Sequence, residues 1–196
     1  MDVTLYDPPF DEWQNARRLP SETSFAFTNW QNRTSVERIL GRPRFELVWH
    51  FKDGRWVSHT GPRLTHELIL LYGETVEAYL GQPNNGKPQN KGRGCVGKDK
   101  LPDRVYTPRA RKQLNSVLEY PRNVNSGMGC WGKPLKLVSL LLEWSGGKSV
   151  LDPYMGGGTT LVAAKELGLR AVGIEIDEKI CEFAANRLRQ GLLEFE

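Results

Sequence analysis

The chain is poor in cysteine. Cys95, Cys130 and Cys181 stand far apart, with no C-x-x-C pair and no histidine at ligand spacing, so a structural zinc site and a disulfide framework are both disfavoured. Histidine is equally sparse. His50, His59 and His66 share one stretch, but no thiolate or carboxylate pattern accompanies them, and no metal site is assigned. Long uncharged apolar runs are absent. The longest, "LKLVSLLLEW", suits a core helix, and a mean hydropathy of -0.50 argues against a membrane span. The first residues show neither a basic n-region nor an apolar h-region, so no secretory signal is expected and the protein is placed in the cytoplasm. Acidic residues thin out in one segment. Between Lys87 and Lys112 only Asp99 and Asp103 oppose Lys87, Lys91, Arg93, Lys98, Lys100, Arg104, Arg109, Arg111 and Lys112, within a chain of formal net charge +4.

What is present fits one α/β core carrying an insertion; 196 residues are too few for two full domains. "DVTLY" reads as a short strand ended by Asp7 and two prolines, which cannot continue a ladder. A short helix is expected over "DEWQNARRL", a second strand over "SFAFTNW", and a helix over "TSVERIL" with Thr34 or Ser35 as N-cap and Gly41 beyond its end. "RFELVWHF" and "HELILLYG" flank an Asp53-Gly54 turn signal and predict an antiparallel hairpin. A turn of helix is expected near "ETVEAYLG". From Gln82 to Gly132 the chain is rich in Gly, Pro, Asn and Lys and shows little periodicity. Order returns with a helix over "KPLKLVSLLLEWS", where Leu135, Val138, Leu141 and Leu142 share a face. A strand "KSVLDPY", a glycine turn into a helix "GGGTTLVAAKELG", a strand "RAVGIEI" and a final helix "DEKICEFAANRLRQG" follow. Trp30 and Trp49 are read as core residues rather than wedges beside a base.

A glycine turn between a buried strand and a helix brings backbone N–H groups and a positive helix end to a ligand, and an acid ending the next strand can grip ribose hydroxyls. Here the parts are Asp152, Gly156, Gly157, Gly158 and Glu175, with a spacing from loop to acid close to the ~20 residues of a nucleotide-type half-domain. A phosphate loop would need Lys before Ser or Thr, and "MGGGTT" has none. A dinucleotide loop would need a third Gly or Ala where Leu161 stands, and Asp152 would repel a pyrophosphate. The same acid suits the cationic methionine end of S-adenosylmethionine, which fits best. A glycine turn with no ligand stays open at this point.

Asp7-Pro8-Pro9-Phe10 suits the alkylation of an exocyclic amine on a nucleobase. Such an amine is a poor nucleophile because its lone pair is delocalised into the ring. Hydrogen bonds from its N–H groups to the Asp7 carboxylate and the Pro8 carbonyl favour a localised lone pair and an eventual proton loss. Proline fixes φ near ~−65° and so aims that carbonyl, while Phe10 offers a face to an extruded base. A plain strand-ending turn is the alternative.

These residues resemble the amino-methylating DNA methyltransferases, which modify adenine N6 or cytosine N4. The family's (Asp/Ser/Asn)-Pro-Pro-(Tyr/Phe/Trp) motif is similar to Asp7-Pro8-Pro9-Phe10, and its "LDPFMGSGTT" motif to "LDPYMGGGTT". The resemblance implies donor contacts from Asp7, Asp152, Pro153, Tyr154, Gly156, Gly158, Thr159 and Thr160. "GIEIDEKICEFAANRL" resembles the second cofactor motif, which places Glu175 on the ribose. Lys133-Pro134 looks like the segment that covers the methionine end, and "HELILLYG" like the strand completing the reverse hairpin.

The resemblance implies a Rossmann-like S-adenosylmethionine-dependent methyltransferase sheet of α/β class, circularly permuted in the order of the β group. It divides the chain into a catalytic half at 1–73, an inserted DNA target-recognition segment at 74–131 and a donor-binding half at 132–196. An N-terminal edge strand usual in the family is missing, which would open the donor's adenine pocket; Ile176 and Asp177 are the residues placed to compensate. In the insertion, Lys87, Lys91, Arg93, Lys98 and Lys100 are the expected phosphate contacts. The implied activity is site-specific methylation of adenine N6 in double-stranded DNA. Cytosine N4, RNA or protein amines, or a non-catalytic DNA-binding module on the same scaffold are the alternatives. A homodimer and a companion restriction endonuclease are the further partners expected.

Overall fold

β1 (Val3–Tyr6) is buried along its whole length, as a strand covered on both faces must be, and the rest of the fold is arranged around it. The computed structural model describes residues 1–9, 12–55, 60–76, 113–122 and 132–190. Apart from 113–115 they belong to one compact unit, Met1–Val76 with Ser116–Glu196. After β1 come β2 (Thr23–Thr28), α1 (Arg33–Leu40), β3 (Phe45–Arg55), β4 (Leu64–Gly73) and β5 (Val117–Glu119). α2 (Leu135–Ser145), β6 (Ser149–Asp152), α3 (Thr159–Glu166), β7 (Arg170–Gly173) and α4 (Glu178–Gln190) complete the elements.

The strands form one sheet in the order β5-β3-β4-β2-β1-β6-β7. β1 runs parallel to both β2 and β6, with Val3 opposite Thr23 on one side and Val150 on the other. β7 is parallel to β6, whereas β4 is antiparallel to β2 and β3, so the expected hairpin is present. The chain leaves β1 towards β2 and leaves β6 towards β7, on opposite sides. Their junction is therefore a topological switch point, where a crevice opens beyond the C-terminal ends of the strands.

Alternation along β2 divides the core. Ala26 joins a buried cluster with Tyr6, Trp13, Val36, Leu40, Leu70 and Tyr72. Its neighbour Phe25 faces the other way and meets Trp144 of α2 at 6.3 Å between ring centroids. Leu137, Val138, Leu141 and Leu142 of α2 are buried. Each such side chain contributes about 1.5–3 kcal/mol when taken fully from water.

Several local expectations are corrected. The helix expected over "DEWQNARRL" is a single 3-10 turn, Trp13–Asn15, after which the backbone extends at Ala16. Trp13 and Ala16 are both drawn into the core cluster, and the Leu19 N–H donates to the Tyr6 hydroxyl at 2.8 Å. Those contacts outweigh the helical preference. α1 starts earlier than Thr34 or Ser35, at Arg33, with Asn32 at the cap position and the Asn32 N–H donating to Asn29 Oδ1 at 2.9 Å. Asp53 and Gly54 lie within β3, which reaches Arg55 through a register irregularity after His50.

The expected insertion also yields a strand. Val117, Leu118 and Glu119 pair parallel with Val48, Trp49 and His50, and the Trp49 indole N–H donates to the Tyr120 carbonyl at 2.9 Å. Ser116 to Arg122 therefore belong with the sheet and not with the insertion. β7 stops at Gly173, short of the expected Ile176. Ile174 instead bonds the exit of β6, donating to the Asp152 carbonyl at 2.9 Å and accepting from the Met155 N–H at 3.0 Å. Trp49 is in the core, but Trp30 is 68% exposed, because it sits in the turn that leads into α1. The helix expected near "ETVEAYLG" lies outside the described residues from 77 onward. No helix among the described residues is long and apolar enough to cross a membrane.

Candidate active site

Three strand ends deliver three acids to one crevice. Asp7 follows β1, Asp152 closes β6, and Glu175 follows β7. The crevice they line encloses about 760 Å³, a size suited to a small-molecule ligand.

The exit of β6 is a run of tight turns. The Asp152 carboxylate accepts from the Tyr154 N–H at 3.0 Å, and Gly156 and Gly158 adopt φ of 48° and 76°, in the left-handed region that favours glycine. Gly158 stands at the N-cap of α3. Its place is also enforced by packing, since a Cβ there would approach Ala184 Cβ to 3.0 Å; one on Gly156 would meet open space. Glu175 braces the loop from the next strand, accepting from the Gly156 N–H at 3.1 Å and the Asp177 N–H at 2.9 Å. Each carboxylate oxygen keeps a further lone pair for a ligand hydroxyl. Arg187 of α4 ties the loop from behind, donating to the Gly157 carbonyl at 2.9 Å and Thr159 Oγ1 at 3.1 Å.

At the exit of β1, Pro8 is buried and Pro9 exposed. The Pro9 carbonyl accepts from the Glu12 N–H at 2.8 Å. Asp7 itself meets Lys133, whose Nζ is 2.7 Å from both carboxylate oxygens. The same ammonium lies 3.7 Å from Glu67 Oε2 of β4, and stands 5.1 Å from the Phe27 ring centroid and 5.9 Å from that of Trp49. The Lys133 side chain is only 11% exposed. Burial pulls its pKa down, but Asp7 and Glu67 outweigh this and leave it raised. Burial pushes the Asp7 carboxyl up, and Lys133 opposes that shift. Asp152 has no such cation in contact among the described residues. Burial pushes it up to about 7, with Thr160 and the Tyr154 N–H pulling in the opposite sense. A cationic ligand would relieve that penalty, so the residues present fit a sulfonium compound.

Of the residues read from the sequence, Asp7, Pro8, Pro9, Lys133, Asp152, Pro153, Tyr154, Gly156, Thr159, Thr160, Glu175 and Ile176 line this one crevice. Ile176 is fully exposed at its mouth. Pro134, Gly158 and Asp177 are not on its wall. Pro134 occupies the N-cap position of α2, Gly158 supports the turn, and Asp177 caps α4 by accepting from the Lys179 and Ile180 N–H groups at 2.9 and 3.3 Å. Phe10 and the basic residues Lys87, Lys91, Arg93, Lys98 and Lys100 lie outside the described residues.

The structure adds residues that the sequence did not flag for the site: Glu67, Phe51, Leu64 and Arg122 line the crevice together with Trp49, and the Arg122 guanidinium stacks 4.9 Å from the Phe51 ring centroid. Glu67 had a signal, the single acid of β4 and in phase with the buried Ile69 and Leu71. Arg122 had none, because its place depends on β5.

A family model described as DNA methylase, of the N6/N4 type, matches residues 13–186, beginning just after the Asp7-Pro8-Pro9-Phe10 stretch. The Type II methyltransferase M.HindIII of Haemophilus influenzae is 47% identical over 58 residues, covering 29% of this chain and 19% of that protein. The Type II methyltransferase M.SmaI of Serratia marcescens is 24% identical over 189 residues, covering 93% of this chain and 56% of that protein. The chain thus spans about half or less of the length of these curated relatives. Among solved structures, the complex of M1.HpyAVI with SAM shares the fold with a TM-score of 0.64 at 18% identity, over 95% of this chain and 88% of that one.

Proposed function

This chain belongs to the N6/N4 DNA methylase family, and we propose that it methylates an exocyclic amine of a base extruded from double-stranded DNA, adenine N6 in preference to cytosine N4. One observation carries the proposal: the Asp7 carboxylate opens on the same crevice as the Gly156–Thr160 loop and Glu175. An acceptor for an amine and a cradle for a nucleoside are thereby joined.

S-adenosylmethionine, when bound, supplies an electrophilic methyl group. Asp152 would face its cationic end, the loop from Pro153 to Thr160 its main body, and Glu175 its ribose. Asp7 and the Pro8 carbonyl would accept the two N–H bonds of the target amine and localise its lone pair. The Asp7 carboxylate then takes the proton that the methylated nitrogen loses. Trp49 and Phe51 add apolar wall to the same crevice. Ile174 and Ile176, 55% and 101% exposed where they line the crevice, would flank the donor's adenine.

The halves 1–73 and 132–196 would serve as catalytic and donor-binding parts of one site, with target recognition assigned to the basic segment between them. A second copy and a companion endonuclease would be its further partners.

The test is incubation with duplex DNA and methyl-labelled donor, digestion to nucleosides and mass spectrometry. N6-methyladenine is the expected product. N4-methylcytosine alone would overturn the adenine assignment, and label found in RNA or protein but not DNA would overturn the substrate class.

A further inference from the structure

Two neighbouring hydroxyls of the glycine loop are tied to opposite charges. Thr160 donates to the Asp152 carboxylate, whereas Thr159 Oγ1 accepts from the Arg187 guanidinium at 3.1 Å. Thr159 is only 7% exposed, and among the described residues Arg187 is the one partner of its hydroxyl. One acceptor position is thereby filled and the proton is left unspent. The oxygen borders the crevice, since a Cβ on Gly132, which lines the crevice with Thr159, would stand 3.5 Å from it.

Arg187 reaches the loop from outside. It belongs to α4, is half-buried, and its other bond goes to the Gly157 carbonyl at 2.9 Å. Both acceptors are neutral, and among the described residues no carboxylate pairs with the guanidinium. Its charge is therefore uncancelled where it stands, and a partly buried charge is screened less than one in open water. Gly158 is the N-cap of α3, so the positive end of that helix adds to the same place.

The rest of the crevice has the opposite character. Five of its described lining residues are acidic and two, Lys133 and Arg122, are basic, with Lys133 bonded to Asp7. The amino-acid end of S-adenosylmethionine carries an ammonium and a carboxylate on one carbon. Asp152 answers the cationic side, and the carboxylate needs a donor in a crevice of acids. We infer that Arg187 is a positioning residue for the donor's carboxylate: it fills the acceptor side of Thr159, leaves the Thr159 proton to point into the crevice, and strengthens with its charge the hydrogen bond that this hydroxyl donates.

The inference rests on S-adenosylmethionine as the donor, and calorimetry with two ligands tests it. S-adenosylhomocysteine has both the ammonium and the carboxylate; its decarboxylated analogue keeps only the ammonium. The wild type should bind the first more tightly by about tenfold to a hundredfold, the scale of a hydrogen bond to a charged group. Arg187→Met should lose most of that difference by weakening S-adenosylhomocysteine, with the analogue unchanged within about twofold. Arg187→Lys, which keeps the charge, should recover part of it. A loop that was merely loosened would weaken both ligands alike, so equal losses overturn the inference, as do unchanged affinities in Arg187→Met or equal affinities in the wild type. Should Arg187→Met not fold, Thr159→Val decides, because it removes the proton through which Arg187 acts: the difference must narrow in the same way, and a difference as wide as in the wild type overturns the inference. A wild type that binds neither ligand sinks the donor reading with it. Carboxylate-dependent binding without methyl transfer to DNA upholds the inference and removes only the proposed reaction.

Discussion

Lys133 and Asp7 are separated by 126 positions, and their side chains meet at 2.7 Å on both carboxylate oxygens. The pairing joins the segment ahead of α2 to the end of β1. It also opposes the upward push that burial gives the Asp7 carboxyl.

Asp7→Asn should therefore lower turnover far more than donor binding. The amide retains shape and can accept from Lys133, but it carries no charge and takes no proton, and removal of a positioned acid–base group lowers rates by about 10²–10⁴-fold. Donor affinity measured by calorimetry should fall much less, because Asp7 is one of several donor contacts that the resemblance implies. Turnover within a few-fold of normal would refute the assigned role.

Asp152 makes a pH-dependent prediction. Burial raises its pKa from 3.8 to about 7, so its contribution to the stability of the ligand-free protein is fully present below the ordinary carboxylate range and is lost as pH rises through about 7. Asp152→Asn should melt above the wild type at pH 8, with the gap closing at pH 5. Donor affinity should follow the opposite course, weakening in the wild type as pH falls below about 7, because the cation favours the ionised form. In the variant that dependence should vanish. Calorimetry across pH values checks it.

The two left-handed glycines should separate stability from binding. Gly158→Ala adds strain of about 1–2 kcal/mol and presses on Ala184, so it should lower the melting temperature. Gly156→Ala carries the same kind of strain without a clash but projects into the crevice. It should weaken donor binding more than Gly158→Ala does. Paired melting curves and donor titrations would show whether the two effects part.

In the basic segment, replacing Lys91 and Arg93 by alanine should weaken duplex binding uniformly across sequences. The slope of log affinity against log salt should become shallower by about one for each phosphate that is no longer neutralised. Donor affinity should not change. An unaltered slope would remove these residues from the DNA interface.

Strand-ending signals were the most legible part of the sequence. Asp7-Pro8-Pro9 and Asp152-Pro153 each stop a short buried strand, so the two acids could be assigned to strand ends before their juxtaposition was known. Patterns that depend on partners distant in the chain were not legible. β5 is three residues long and exists through its pairing with β3, so no local periodicity announces it. Trp13 favoured a helix locally and was drawn into the core instead. Lys133 could be linked to the site through its motif, but nothing in the chain order places its ammonium on Asp7 and beside Glu67.

The position of β1 in the sheet also sets the order of events during synthesis. β1 leaves the ribosome ahead of β2, whereas its other neighbour, β6, follows only after all the intervening chain. Contacts so distant in sequence close late in folding. The nascent chain can complete its β2–β4 side early, yet Asp7 gains neither Lys133 nor the glycine loop until the segment that carries them has emerged. Until then the crevice is only half built, and the proposed chemistry has nowhere to take place.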